Sequence, residues 1–279
     1  MKKILIIGAS GFVGAHLYEY LNSLKKYELI GTYYSQNKKE LIFLDYFNKK
    51  SFLKTLENVK PDIVIWSAGE KNMSRTENDI SFNIKENIEP IKTLLAWHKS
   101  VNISNPHLLF LSSDYVFSGG KGNYTTKDVP DPQTKYGLSK YYSELAILQN
   151  ITNFCILRVG GIIGEGGRFF DWIYDKIKNH KSIELYLEYF SPTPITTLCM
   201  AIRLVIENNL QGIFHISGNK RLSKFKFGVL LKKCLGESRS VLTEKKKSKN
   251  SIIQDRSLKR SKEFMGLSDL KQFFNTIKL

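Results

Sequence analysis

Apolar positions in the first half of the chain alternate between two rhythms. "KILIIG" (residues 3–8) is an unbroken apolar run closed by glycine, the pattern of a strand buried on both faces. Apolar residues then recur at Val13, Leu17, Leu21 and Leu24, a helical stripe. "YELIGTYY" predicts a second strand, "SFLKTLENV" a second helix and "PDIVIWSAG" a third strand. After a polar stretch, Ile88, Ile91, Leu94 and Leu95 mark another helix. "HLLFLSSDYVF", "KYGLSKYYSELAILQN" and "FCILRVG" then read as strand, helix and strand. This alternation predicts an α/β fold, a doubly wound parallel sheet of Rossmann type covered on both faces.

The texture changes after Gly160. "GGIIGEGG" reads as irregular, residues 169–178 as a helix, and "SIELYLEYFSPTPI" as too proline-broken for a central strand. Residues 196–208 predict a helix and "GIFHISG" one more strand. The last sixty residues read as helical and basic, broken by a polar stretch over residues 238–250.

The 279 residues suffice for a self-sustaining core without a metal or disulfide staple. Three scattered cysteines, Cys155, Cys199 and Cys234, lack CxxC spacing and read as reduced thiols of a cytoplasmic protein. The five histidines show no metal spacing, so no metal is expected. The opening "MKK" leads into no long apolar run, and no stretch reaches the ~18 apolar residues of a membrane span. The net charge of +16, concentrated over residues 243–262, points to an anionic partner or a solvated lysine-rich face. No helix-turn-helix or RNA-binding signature accompanies it, so nucleic acid is not expected.

Candidate chemistry begins in "GASGFVG". Its glycines follow a strand and open a helix, as a dinucleotide phosphate cradle requires. A side chain at Gly8 obstructs the turn, one at Gly11 holds a pyrophosphate off the backbone, and one at Gly14 pushes helix from strand. Ser10, Phe12 and Val13 complete this candidate cofactor loop, whose helix N-terminus offers N–H groups to an anion. The end of the second strand, "GTYYSQNKK", has no acid to bind a ribose 2′-hydroxyl or repel a 2′-phosphate, and Lys38 and Lys39 lie close by, either to pair with that phosphate or as solvated side chains. NADP(H) is therefore favoured over NAD(H). Residues 1–160 and 191–217 are expected to form the dinucleotide-binding domain, and 161–190 with 218–279 a smaller, interleaved α+β substrate lobe.

Tyr136 and Lys140 stand four apart on a predicted helix and share a face. A lysine cation beside a phenol lowers its pKa and makes proton transfer to a carbonyl oxygen feasible. Ser112 and Ser113 end the strand "HLLFLSS", where open α/β sheets place ligands.

"GASGFVG", "SAG" (residues 67–69), Phe82-Asn83, "LSSDYVFSG" and "YGLSK" together resemble the extended short-chain dehydrogenases/reductases, within them the dTDP-4-dehydrorhamnose reductases. "SSDYVFSG" (residues 112–119) is the most specific piece, and "ILRVG", "SPT" and "GIFHISG" extend the likeness. The resemblance implies Ser113, Tyr136 and Lys140 as the catalytic triad, Tyr136 protonating a sugar ketone that receives hydride from the nicotinamide. It implies that Asp45 meets the adenine, that Ser67, Ala68 and Gly69 line the cofactor, and that Asn83 braces the site. Tyr136 and Lys140 would also touch the cofactor. Ser112, Asp114, Val116, Arg158 and Arg168 are the candidate substrate contacts. The expected partner is a nucleotide-diphosphate sugar, with a homodimer left open as the assembly.

Two departures fall where the sugar should bind. Gly160 and Gly161 replace the aromatic these reductases carry soon after the arginine, and "LEYF" (residues 187–190) replaces an acid–Gln segment. They leave the identity of the sugar open. An epimerase or dehydratase is the enzymatic alternative, although Asp114 lacks the following Glu of dehydratases. A noncatalytic, cofactor-binding regulatory subunit is the other.

Overall fold

The computed structural model describes residues 1–69, 73–101, 105–245 and 253–277. By their internal contacts these form two interleaved units. The first comprises residues 1–116, 130–158 and 202–214; the second comprises 117–129, 159–201 and 215–279. The expected division placed 117–129, 159–160, 191–201 and 215–217 with the first unit, whereas by contacts they group with the second.

The central sheet has seven strands. β1 (Lys2–Ile7), β2 (Tyr27–Tyr33), β3 (Ile42–Phe43), β4 (Ile63–Trp66), β5 (His107–Ser113) and β6 (Phe154–Val159) are joined by the edge strand Gly212–Ile216. The order is edge strand, β6, β5, β4, β1, β2, β3, and β1 pairs in parallel with both β2 and β4. The chain winds outward from β1 to β3, then crosses back to β4, so the order reverses between β1 and β4. That reversal opens a crevice at the carboxyl ends of the strands. Ile4 to Ile7 are fully buried, as the unbroken apolar run predicts.

Helices α1 (Phe12–Ser23), α2 (Lys49–Val59), α3 (Met73–Asn78), α4 (Ile80–Asn87), α5 (Glu89–Ser100) and α6 (Lys135–Asn150) belong to the first unit. Asn48 caps α2 and Thr134 caps α6 by accepting backbone N–H groups of the first turn. The stretch read as merely polar before α5 contains α3 and α4. Its start signal is Asp79, which accepts the Phe82 N–H at 2.9 Å. One core packs Phe52, Leu56, Ile91, Leu94 and Ile147 against Leu5, Ile7, Val64, Trp66, Leu108, Phe110 and Ile156.

The second unit has its own core, in which Phe170, Ile173 and Ile177 of α7 (Arg168–Lys178) meet Ile183, Phe190, Phe227, Leu231 and Phe273. Strand Ile183–Tyr186 pairs only peripherally, with Leu242–Lys245. The carboxyl-terminal region is less helical than expected. Helices cover Lys224–Cys234 and Leu270–Ile277, while residues 253–260 are irregular, with isolated bridges from Leu258 to Tyr124 and from Asp255 to Tyr189. Buried Arg260 in this segment donates to the carbonyls of Phe264 and Leu267. Residues 246–252 of the basic stretch lie outside the described residues.

Candidate active site

The glycine turn follows β1. Gly8 adopts φ +87°, and a Cβ there would lie 2.9 Å from the Ala68 backbone. A Cβ on Gly14 would lie 2.1 Å from the Gly8 carbonyl oxygen, so helix and strand approach as closely as glycine allows. Gly11 differs from both. Its φ of −78° suits any residue, and the nearest atom to a Cβ is 3.4 Å away. Nothing within the protein demands glycine at 11, which leaves space above the backbone for a ligand. Gly11 supplies no side-chain cap, unlike Asn48, Asp79 and Thr134 at the starts of α2, α4 and α6, and the first turn of α1 holds no acid. These features fit a bound phosphate. Ser10 and Phe12 are half-buried, while Val13 is buried and can offer only its backbone.

Ile7 and Trp66 are register partners, so Ser67, Ala68 and Gly69 stand beside the glycine turn. The Ser67 hydroxyl donates to the Ile7 carbonyl at 2.8 Å and ties the two strand ends together. Gly69 adopts φ +124°, and a Cβ there would lie 2.6 Å from the Asn87 side-chain oxygen. Lys38 is half-buried beyond β2. The Asp45 carboxylate accepts the Phe47 and Asn48 N–H groups and so shapes the turn before α2.

β5 runs three residues past Phe110, the partner of Trp66, and ends at Ser113. Residues 114–116 form a single 3₁₀ turn against which the start of α6 packs. A Cβ on Gly137 would lie 2.1 Å from the Tyr115 carbonyl oxygen. This close approach brings the Tyr136 phenol beside the Ser113 hydroxyl. The Ser113 hydroxyl also meets Asp114 Oδ1 at 3.0 Å and the Tyr115 N–H at 3.2 Å. Buried Asn83 donates to the Lys135 carbonyl at 2.8 Å and accepts from Asn87, which braces the first turn of α6.

Burial first, and then the charge of Asp114, push the Tyr136 phenol above its ordinary range, against an opposing hydrogen bond from Ser113. The Lys140 ammonium is buried and donates to the Leu111 carbonyl at 3.1 Å. The expectation that Lys140 draws the phenol downward is thereby corrected. At neutral pH Tyr136 is held protonated, the state a proton donor needs.

Three expected substrate contacts are also corrected. Arg158 is 3% exposed and its guanidinium is bound to the carboxylate of Glu144, while Ser112 donates to the same carboxylate. Val116 is fully buried. Asp114 remains beside Ser113, and Arg168 is exposed at the first turn of α7. Gly161 makes room for Phe190, whose ring would lie 2.6 Å from a Cβ there. Gly137 and Glu144 were missed in the sequence. Only the lack of a side chain marked Gly137, while Glu144 continues the Tyr136–Lys140 spacing by one turn. Cys155 and Cys199 are buried, and burial pushes the Cys199 thiol up to about 12.

Residues 1–263 match the RmlD substrate binding domain. The chain belongs to that family. The dTDP-4-dehydrorhamnose reductase of Aggregatibacter actinomycetemcomitans is 25% identical over 240 residues, 83% of this chain and 78% of that protein. Methionine adenosyltransferase 2 subunit beta of Xenopus laevis is 26% identical over 235 residues, 80% of this chain and 69% of that protein. A hypothetical dTDP-4-dehydrorhamnose reductase from Sulfolobus tokodaii has a crystal structure that superposes with a TM-score of 0.86 and 28% identity, covering 96% of both chains. The fold is accordingly that of the extended short-chain dehydrogenases/reductases. No helix among the described residues is long and apolar enough to cross a membrane.

Proposed function

We propose that this protein reduces the 4-keto group of a nucleotide-activated sugar, with NAD(P)H as hydride source and Tyr136 as proton donor. The observation that carries this reading is the placing of Tyr136 beside Ser113, with the phenol held protonated, at the carboxyl edge of the sheet. A bound nicotinamide supplies hydride to the carbonyl carbon. Tyr136 gives its proton to the carbonyl oxygen, which takes up the π electron pair, and a secondary alcohol results. The phenolate left behind recovers a proton from solvent. Lys140 lies one turn along α6, its ammonium held on the Leu111 carbonyl. Ser113 orients the ketone by exchanging its Asp114 partner for the substrate oxygen.

The uncapped start of α1, with Gly11 open above it, takes the cofactor pyrophosphate. Gly8, Gly14, Ala68 and Gly69 shape the wall around it. Lys38, with no acid at the end of β2, favours NADP(H) over NAD(H). Arg168 is the proposed contact for a substrate phosphate. The identity to the methionine adenosyltransferase subunit favours a second reading, a cofactor-binding subunit without turnover. The intact Ser113, Tyr136 and Lys140 set weighs against it.

The test is incubation of purified protein with NADPH or NADH and a panel of nucleotide 4-keto-sugars, followed by absorbance at 340 nm and NMR of the product. Stoichiometric cofactor oxidation with formation of a secondary alcohol is expected. Sugar isomerisation without oxidation, or cofactor binding without turnover of any sugar, would overturn the proposal.

A further inference from the structure

The last three residues of β5 each meet α6. Lys140 donates to the Leu111 carbonyl, the Glu144 carboxylate accepts from the Ser112 hydroxyl, and Tyr136 stands beside Ser113. Glu144 is fully buried, and Arg158 near the end of β6 is 3% exposed. The Arg158 Nε reaches both carboxylate oxygens, at 3.1 and 3.2 Å, and Nη2 reaches Oε2 at 2.8 Å. A buried ion pair is weak evidence for stability, because desolvation of both charges offsets their attraction. What it does supply is direction. A guanidinium fork fixes the plane of the carboxylate, and the fixed carboxylate fixes the donor bound to it.

We infer that Glu144 is a positioning residue, which with Arg158 holds Ser112, and through Ser112 the neighbouring Ser113 hydroxyl, in register with Tyr136. The inference rests on the reading of Ser113 and Tyr136 as the proton-donating pair. It assigns Arg158 and Ser112 to the alignment of the site. Three elements then meet at one carboxylate: β5 through Ser112, β6 through Arg158, and α6 through Glu144 itself. A shift of about 1 Å at the Ser113 hydroxyl is enough to cost on the order of a hundredfold in rate.

The test compares wild type with Glu144→Gln, with Glu144→Gln combined with Arg158→Met, and with Ser112→Ala, all as full-length protein. The single Glu144→Gln change strands a buried cation and lowers the melting temperature; the double variant removes both charges and recovers it. With fold restored, the double variant keeps its NADPH dissociation constant within about twofold while kcat falls by about ten- to a hundredfold. Titration of ¹³C-labelled tyrosine, with Tyr136 assigned by Tyr136→Phe, gives a readout that needs no substrate. Loss of register admits water, so the phenol of the double variant and of Ser112→Ala titrates at lower pH than in wild type.

A folded double variant with wild-type kcat and wild-type Tyr136 titration would overturn the inference. If the double variant does not fold, Ser112→Ala decides in the same way, an unchanged titration being fatal. If wild type turns over no keto-sugar, the proposed reaction falls by itself and the Tyr136 titration still judges Glu144.

Discussion

Gly137 faces the Tyr115 carbonyl so closely that a Cβ would stand 2.1 Å from the oxygen. Helix α6 can rest on the 3₁₀ turn only because residue 137 has no side chain, and that contact sets Tyr136 against Ser113. Gly137→Ala gains ~1 kcal/mol of helix propensity. It meets an overpacking cost of about 1–3 kcal/mol against a backbone atom that cannot rotate away. The expected outcome is a lower melting temperature together with a kcat reduced at least tenfold, read by calorimetry and by NADPH oxidation. Wild-type values of both would show that α6 does not need this contact.

Tyr136→Phe removes the proposed proton donor and little else, since the ring and its edge contact with Tyr115 remain. Turnover should fall by about 10²- to 10⁴-fold. The NADPH dissociation constant, measured by fluorescence, should change less than about threefold. Turnover near the wild-type rate would exclude Tyr136 as the acid.

Gly11 and Gly14 should separate ligand from fold. Gly14→Ala drives a methyl into the Gly8 carbonyl, so soluble, folded protein is not expected. Gly11→Ala meets nothing closer than 3.4 Å, so its melting temperature stays near wild type while NADPH binding weakens. Equal affinity in Gly11→Ala and wild type would remove the phosphate from this turn.

Lys38→Ala should narrow the preference for NADPH over NADH by about three- to tenfold in kcat/KM, the worth of one exposed charge pair of ~1 kcal/mol. An unchanged ratio would assign the preference elsewhere.

His107, 3% exposed at the start of β5, should make the fold acid-sensitive well above the carboxylate range. Burial first, and then the nearby charge of Lys2, lower its pKa to about 4. The unfolded chain protonates this group near pH 6.5 and the folded chain only near 4, so the unfolded state binds the extra proton in between. Stability is full above pH 6.5, declines as pH falls toward 4, and loses about 3 kcal/mol across that window. His98, shifted in the same direction by burial, adds to the slope. Urea unfolding of wild type and His107→Leu at pH 7 and pH 5 measures it. Equal pH dependence in the two proteins would contradict the assignment.

Much of the first unit was legible in the sequence. Buried parallel strands need unbroken apolar runs and their covering helices need a stripe, so each of the strands β1, β4, β5 and β6 announced itself. The glycine turn and the Tyr136–Lys140 spacing were legible for the same reason. A sharp turn and a helical repeat are local geometry, set by a few neighbouring residues.

Other features depended on partners far along the chain. Residues 253–260 carry no period, because their polar groups are satisfied by backbone distant in sequence, as when the Tyr124 N–H meets the Ser257 carbonyl. Arg158 resembled a substrate contact until Glu144, fourteen residues earlier, claimed its guanidinium. The direction of the Tyr136 shift likewise reversed, since desolvation and the Asp114 charge depend on what surrounds a group and not on its spacing from a lysine. The sequence by itself determined the fold class, the glycine turn and the residue types of the candidate site. Which of those residues face the chemistry, and in what protonation state, only the tertiary structure decided, because burial and charge pairing come from contacts that no short stretch of chain contains.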